Sequence, residues 1–250
     1  MTGRTAGRAW LVAGALAVAA MVPLPAGAQQ GIDFDLRDWT KQGPDEVGDW
    51  QVSSDGSEVI QQLNDDPTYF VSPETVASGT ITGVFEVQTT SDDDYIGFVF
   101  GYRGPTTDDP FVYDHLLFDW KRGSQSGFGD CTSQEGFALT RIEGQLSEDP
   151  DERREGNGMV LPVNWCHEQA EDDPRAEVLA TDWGEDRGWE ANTEYAFALD
   201  YAPDRIRIRI DGETIFDVAG DFPEGSFGFY NYSQKQVRYS GFRAGPTEPE

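Results

Sequence analysis

Three consecutive carboxylates, Asp92, Asp93 and Asp94, run directly into the apolar stretch Tyr95-Ile96-Gly97-Phe98-Val99-Phe100-Gly101-Tyr102. Like charges set side by side repel unless a cation neutralises them, and clustered carboxylate oxygens suit a hard ion such as Ca²⁺. The turn is therefore a candidate calcium site, with Asp65 and Asp66, at the end of an earlier strand, as additional oxygen ligands. The same aspartates also fit a solvated turn in a very acidic protein, and composition alone does not separate the two. The apolar stretch fixes where the turn must sit. Successive residues of a strand point to opposite faces, and here both sets are apolar, which places the strand inside a sandwich and not at its edge.

Other residue types that could do chemistry are sparse. A retaining glycosidase needs two carboxylates about 5 Å apart. Glu86 and Asp119 fall on expected strands, but neither has an acidic partner two residues away. In Gly123-Ser124-Gln125-Ser126-Gly127 a glutamine stands where G-x-S-x-G carries its nucleophile. His115 and His167 are the two histidines, and His167 next to Cys166 lacks the further ligands that zinc requires. Both histidines read as structural, and no catalytic residue is assigned. Trp165, Trp183 and Trp189 lie in or beside loops, where an indole stacks on a sugar ring or packs over a sheet edge. Asn231-Tyr232-Ser233 has the form of an N-glycosylation sequon.

Residues 1–28 read as a secretory signal. Arg4 and Arg8 supply the positive region, residues 10–22 the apolar one, and Ala26-Gly27-Ala28 the cleavage site. The expected localisation is secreted and extracellular. No second apolar run approaches the roughly 20 residues that span a bilayer, so membrane insertion is not expected. The formal charge of −28 drops to about −30 once the leader's two arginines are removed. Such a surface repels nucleic acid and anionic membranes. In an exported chain Cys131 and Cys166 are expected to form a disulfide, closing a loop of about 35 residues and contributing about 3 to 4 kcal/mol.

Along the mature chain the signals are short strands and turns, without the helical period of βαβ units, so the fold class is an all-β, two-sheet antiparallel sandwich. Strands are expected at 48–52 and 57–63 around Ser54-Asp55-Gly56, then at 68–71, 80–89 and 95–102, the last two pairing across the Asp-rich turn. Residues 122–186 read as loops, with 136–143 the clearest strand among them. Arg205, Arg207 and Arg209 alternate with Ile206, Ile208 and Ile210 ahead of the hairpin signal Asp211-Gly212. The arginine row reads as a solvated face balanced by carboxylates, or as a face for an anionic ligand. One domain is expected over residues 29–244, followed by a disordered tail at 245–250.

The run Asp92 to Tyr102 resembles the D-D-D-Y-x-G-F-x-F-G-Y signature of the thrombospondin C-terminal domain family. Trp120-Lys121, Trp165-x-His167, Gly188-Trp189, Ile206-Arg207 and Ser233-Gln234 follow in the family's order. The resemblance implies a lectin-like jelly roll of the concanavalin type. It also implies a calcium-binding, non-catalytic module for extracellular recognition or cell adhesion, with calcium ligands at Asp92, Asp93 and Asp94. An extracellular protein or glycan surface is the implied partner. Carbohydrate binding or glycan cleavage is the alternative on the same scaffold, although the E-x-D-x-x-E string of its glycosidases is absent from the chain. The D-x-D-x-D-G repeats of animal thrombospondins are also absent, the cysteines stand elsewhere, and residues 111–120 do not reproduce the family's receptor-binding peptide. The sequence leaves ligand identity and oligomeric state open.

Overall fold

In a computed structural model of the chain, residues 32–43, 46–104, 112–128, 131–145, 165–168 and 174–246 are described. The expected leader and the last four residues lie outside them. Among the described residues the strands are β1 (Ile32–Asp33), β2 (Thr40–Gln42), β3 (Trp50–Val52), β4 (Glu58–Gln61), β5 (Thr68–Val76), β6 (Gly79–Val87), β7 (Tyr95–Arg103), β8 (Val112–Lys121) and β9 (Gln125–Phe128). They continue with β10 (Cys131–Ser133), β11 (Gly136–Gln145), β12 (Ala176–Trp183), β13 (Glu194–Ala202), β14 (Arg205–Ile210), β15 (Glu213–Ala219), β16 (Gly225–Tyr232) and β17 (Val237–Gly245).

Two antiparallel sheets face each other in a lectin-like jelly roll. One has the order β15-β14-β13-β6-β17-β4-β3 with β1 added on β17, and the other β12-β11-β8-β7-β16-β5-β2. β7 lies in the middle of the second sheet, between β8 and β16, as its two apolar faces require. Ile96, Phe98 and Phe100 point into the space between the sheets. There the Phe98 ring lies 4.7 Å from Phe118 and 5.0 Å from Phe197. Tyr95, Val99 and Tyr102 point the other way, into a second cluster with Tyr69, Leu117 and Tyr230. Gly97 is needed between them, because a Cβ there would stand 2.0 Å from the Phe118 carbonyl oxygen of the neighbouring strand.

Two expectations about connectivity are corrected. The strands on either side of the Asp-rich turn do not pair with each other: β6 lies in the first sheet against β13 and β17, and β7 in the second. An alternating pattern identifies a strand but not the sheet it joins, and the turn is a crossing between layers. Residues 122–186 also hold more order than expected, since β9 and β10 form a ribbon and β12 is an edge strand on β11. The half-buried pattern of β12 gives it only a weak apolar signal. Other expectations hold. β3 and β4 pair around Ser54-Asp55-Gly56, and β14 and β15 pair around Asp211-Gly212, both with positive φ as a type I′ hairpin turn demands.

Several of the layer crossings lie at one end of the sandwich. The links from β4 to β5, from β6 to β7 and from β16 to β17 all pass between sheets there. They are tied together by Ser233 N–H donating to the Asp65 carbonyl (2.7 Å) and Gln88 N–H donating to the Gln236 carbonyl (2.8 Å).

Candidate metal centre

The crossing from β6 to β7 carries Asp92, Asp93 and Asp94, and neighbouring segments hold its backbone from several sides. Asp92 adopts φ 81°, a left-handed conformation that aspartate tolerates. The Asp93 carbonyl accepts from Arg122 N–H at 3.2 Å, just past the end of β8. Asp94 N–H donates to Gln234 Oε1 at 3.3 Å, and the Asp94 carbonyl accepts from Trp189 Nε1 at 3.0 Å. Gly188 lets that tryptophan approach, since a Cβ there would lie 1.9 Å from the Arg122 carbonyl oxygen. So fixed, the three aspartates bring one carboxylate oxygen each within 4.8 Å of one another.

Lys121, the last residue of β8, is the residue that inspection of the sequence missed. Its side chain is fully buried, and Nζ donates to Asp94 Oδ1 at 2.8 Å, to the Asp93 carbonyl at 3.0 Å and to Gln125 Oε1 at 2.7 Å. Asp93 Oδ1 lies 3.6 Å from the same ammonium. The signal was in the strand's alternation: Tyr113, His115, Leu117, Asp119 and Lys121 share one face of β8, mostly polar yet covered, opposite Leu116, Phe118 and Trp120. Burial pushes the Asp94 carboxyl above its usual range, while the Lys121 hydrogen bond pulls it down. Arg122 sends Nη1 to the Asp92 carbonyl at 3.4 Å and lies over the Trp189 ring.

The donor set fits a hard cation. All three side chains offer oxygen, no thiolate or imidazole intrudes among these groups, and one ammonium faces three carboxylates. Asp65 and Asp66 stand beside this group without joining it. Asp66 N–H donates to Asp65 Oδ1 at 3.0 Å, and burial together with the Asp65 charge raises the Asp66 carboxyl. The residue of that turn which reaches the trio is Asn64, whose amide donates to Asp92 and whose Oδ1 accepts from Ser233 Oγ at 3.0 Å.

Cys131 and Cys166 form the expected disulfide. It seats Trp165 on the outer face of the second sheet, where the Tyr95 hydroxyl donates to the Trp165 carbonyl at 2.8 Å. Trp165 and Trp183 are half-buried, but Trp189 is 1 % exposed and belongs to the core, which removes it as an open sugar platform. Its indole N–H found an acceptor inside, at Asp94. His115 and His167 are both buried. The Tyr69 hydroxyl lies 2.9 Å from His115 Nε2, and burial lowers His115 to about 3. His167 Nε2 lies 2.9 Å from Asp119 Oδ2. Asp119 is thus paired with a histidine in one sheet, and Glu86 with Arg238 in the other. Asn231, the first residue of the sequon-like Asn231-Tyr232-Ser233, is fully buried, with Oδ1 accepting from Gln61 Nε2 at 2.9 Å.

A family model described as the thrombospondin C-terminal region matches residues 45–246. The chain belongs to this family. It is 27% identical over 217 residues to thrombospondin-3b of Danio rerio, covering 80% of this chain and 21% of that protein. It is 26% identical over 219 residues to the cartilage oligomeric matrix protein of Rattus norvegicus, covering 80% of this chain and 26% of that protein. The chain therefore spans about a fifth to a quarter of the length of these curated relatives. Among solved structures it is similar in fold to a carbohydrate-binding module, CBM66, of Bacillus subtilis, with a TM-score of 0.51 at 14% identity over 83% of this chain and 96% of that one. Among the described residues no helix is long and apolar enough to cross a membrane.

Proposed function

We propose that this thrombospondin C-terminal region is a secreted, calcium-binding, non-catalytic module that recognises an extracellular protein or glycan surface. The observation that carries the metal part is the all-oxygen trio of Asp92, Asp93 and Asp94 at the end where the β4–β5, β6–β7 and β16–β17 crossings meet, with a single buried ammonium to set against three carboxylates. Calcium there would supply the missing positive charge and draw the three crossings together, and Asp65 and Asp66 would add to the local negative field. The non-catalytic part rests on two strand acids that lie in different sheets and are both paired: Asp119 with His167, and Glu86 with Arg238, which Glu194 on the neighbouring strand shares. Export rests on the leader and on the disulfide, which persists in oxidising surroundings.

The test is a binding and turnover screen on the purified chain. Immobilised matrix glycoproteins and polysaccharides are offered with calcium or with a chelator, and the same polysaccharides are assayed for cleavage. The expected result is saturable, calcium-dependent capture with no release of reducing ends. Turnover abolished by Asp119→Asn would overturn the non-catalytic reading.

A further inference from the structure

We propose that Lys121 is a resident counter-ion of the acidic turn, taking up the charge of Asp94 so that the turn is left with the charge of two carboxylates, which one divalent ion balances. This rests on the calcium reading above and adds the residue that sets the affinity. Lys121 is one of three lysines in the chain and is fully buried. An ammonium has three N–H donors, and here each has an oxygen acceptor: Asp94 Oδ1, the Asp93 carbonyl and Gln125 Oε1. Nζ also lies 5.1 Å from the centre of the Tyr95 ring and 5.2 Å from that of Trp165. Trp165 is adjacent to Cys166, so the disulfide ties down the residue that roofs the ammonium. A charge so satisfied and so covered does not exchange with solvent.

The consequences are unequal for the three aspartates. Asp94, 3% exposed and bonded to Nζ, is neutralised by a cation that is part of the chain. Asp92 and Asp93 are half-buried, and the ammonium is farther from Asp93 Oδ1, at 3.6 Å. Arg122 turns to the Asp92 carbonyl and the Trp189 ring and forms no ion pair with the trio. An exchangeable divalent ion therefore meets the charge of two carboxylates, not three. The fold then holds together without the ion, and calcium tightens it.

The charge count orders four proteins. Terbium luminescence, sensitised by the tryptophans, and its displacement by calcium are measured on the purified chain, on Lys121→Met, on Asp94→Asn and on the double variant. Removing a unit charge this close to a divalent ion changes affinity by roughly ten- to a hundredfold at the dielectric of a partly buried site. Lys121→Met is expected to bind calcium at least about tenfold more tightly than the unmodified chain, and Asp94→Asn about tenfold more weakly. The double variant, which strands no charge, is expected within about threefold of the unmodified chain. Should Lys121→Met fail to fold, the double variant against Asp94→Asn still decides. A Lys121→Met protein that binds no more tightly, or a double variant as weak as Asp94→Asn, overturns the counter-ion role while leaving the calcium site standing. Absence of ion uptake by all four overturns the calcium reading, and the counter-ion role with it.

Discussion

The molecule concentrates charge in two places and treats it in opposite ways. On the outer face of the first sheet Arg205 and Arg207 both bond Asp217, Nε distances being 2.6 and 3.2 Å, and Arg209 bonds Asp200 at 2.9 Å. Arg205 is open to water, Arg207 and Arg209 are half-buried, and each cation has a carboxylate beside it. At the end of the sandwich the balance is reversed: one buried ammonium faces three carboxylates. In a chain of formal charge −28 an acidic residue says little by itself. Arg238 also faces three carboxylates, Glu58, Glu86 and Glu194, two of them open to water, so it is the depth at which an imbalance lies that separates a solvated face from a place where an ion is wanted.

Breaking the buried pair is expected to do most. Asp94→Ala strands the Lys121 ammonium away from water, and disrupting a buried pair from one side costs about 3 to 5 kcal/mol. Denaturant unfolding of that variant is expected to show this loss, and a loss below about 1 kcal/mol would mean that Lys121 is solvated in solution. The disulfide comes next: Cys131→Ala with Cys166→Ala opens a loop of 35 residues and is expected to lower stability by about 3 kcal/mol, or roughly 10 °C in Tm. Terbium luminescence should weaken with it as the Trp165 roof loosens.

A smaller, pH-dependent effect belongs to His115 on the covered face of β8. Its folded pKa lies at about 3, below the ordinary 6.5, so the unfolded chain takes up the proton first. Its contribution is complete above pH 6.5 and is lost as pH falls towards 3, by about 1.4 kcal/mol per unit. His115→Gln is expected to flatten the stability profile across that window by one proton's slope, and superimposable profiles would contradict the assignment. The smallest effect is on the exposed face. Hydrogen bonds from Arg205 hold the Asp217 carboxyl at about 2. Its charge contributes above pH 4 and fades as pH drops below. Asp217→Asn is expected to cost no more than about 0.2 to 1 kcal/mol and to become silent in high salt, as exposed ion pairs do.

The sequence made the strand at residues 95–102 legible because both of its faces are apolar, and the hairpin at Asp211-Gly212 because that dipeptide accepts two positive φ angles. It did not show that the strand before the Asp-rich turn joins the opposite sheet, since alternation carries no information about the partner strand. The turn stood out as three carboxylates, whereas Lys121 did not. A lone lysine closing a strand looks solvated until the tyrosine and tryptophan rings around it are in place. For Trp189 the sequence left a sugar platform and packing over a sheet edge both open, and the packed reading holds: its indole reaches inward to the Asp94 carbonyl. Sequence position marks a loop but not which way its side chains turn.

A thermal melt tests most directly the proposal that the turn at Asp92, Asp93 and Asp94 holds calcium as a ligand of the folded state. The purified chain and Asp93→Asn are heated with calcium and with chelator. A ligand that binds only the native state raises the midpoint, by about 2.7 kcal/mol of stability at a hundredfold excess over its Kd. A clear rise is expected for the unmodified chain and loss of most of it in Asp93→Asn, with the two midpoints in chelator close together. Equal midpoints with and without calcium in the unmodified chain would contradict it, and the aspartates would then be a solvated turn neutralised by Lys121 alone.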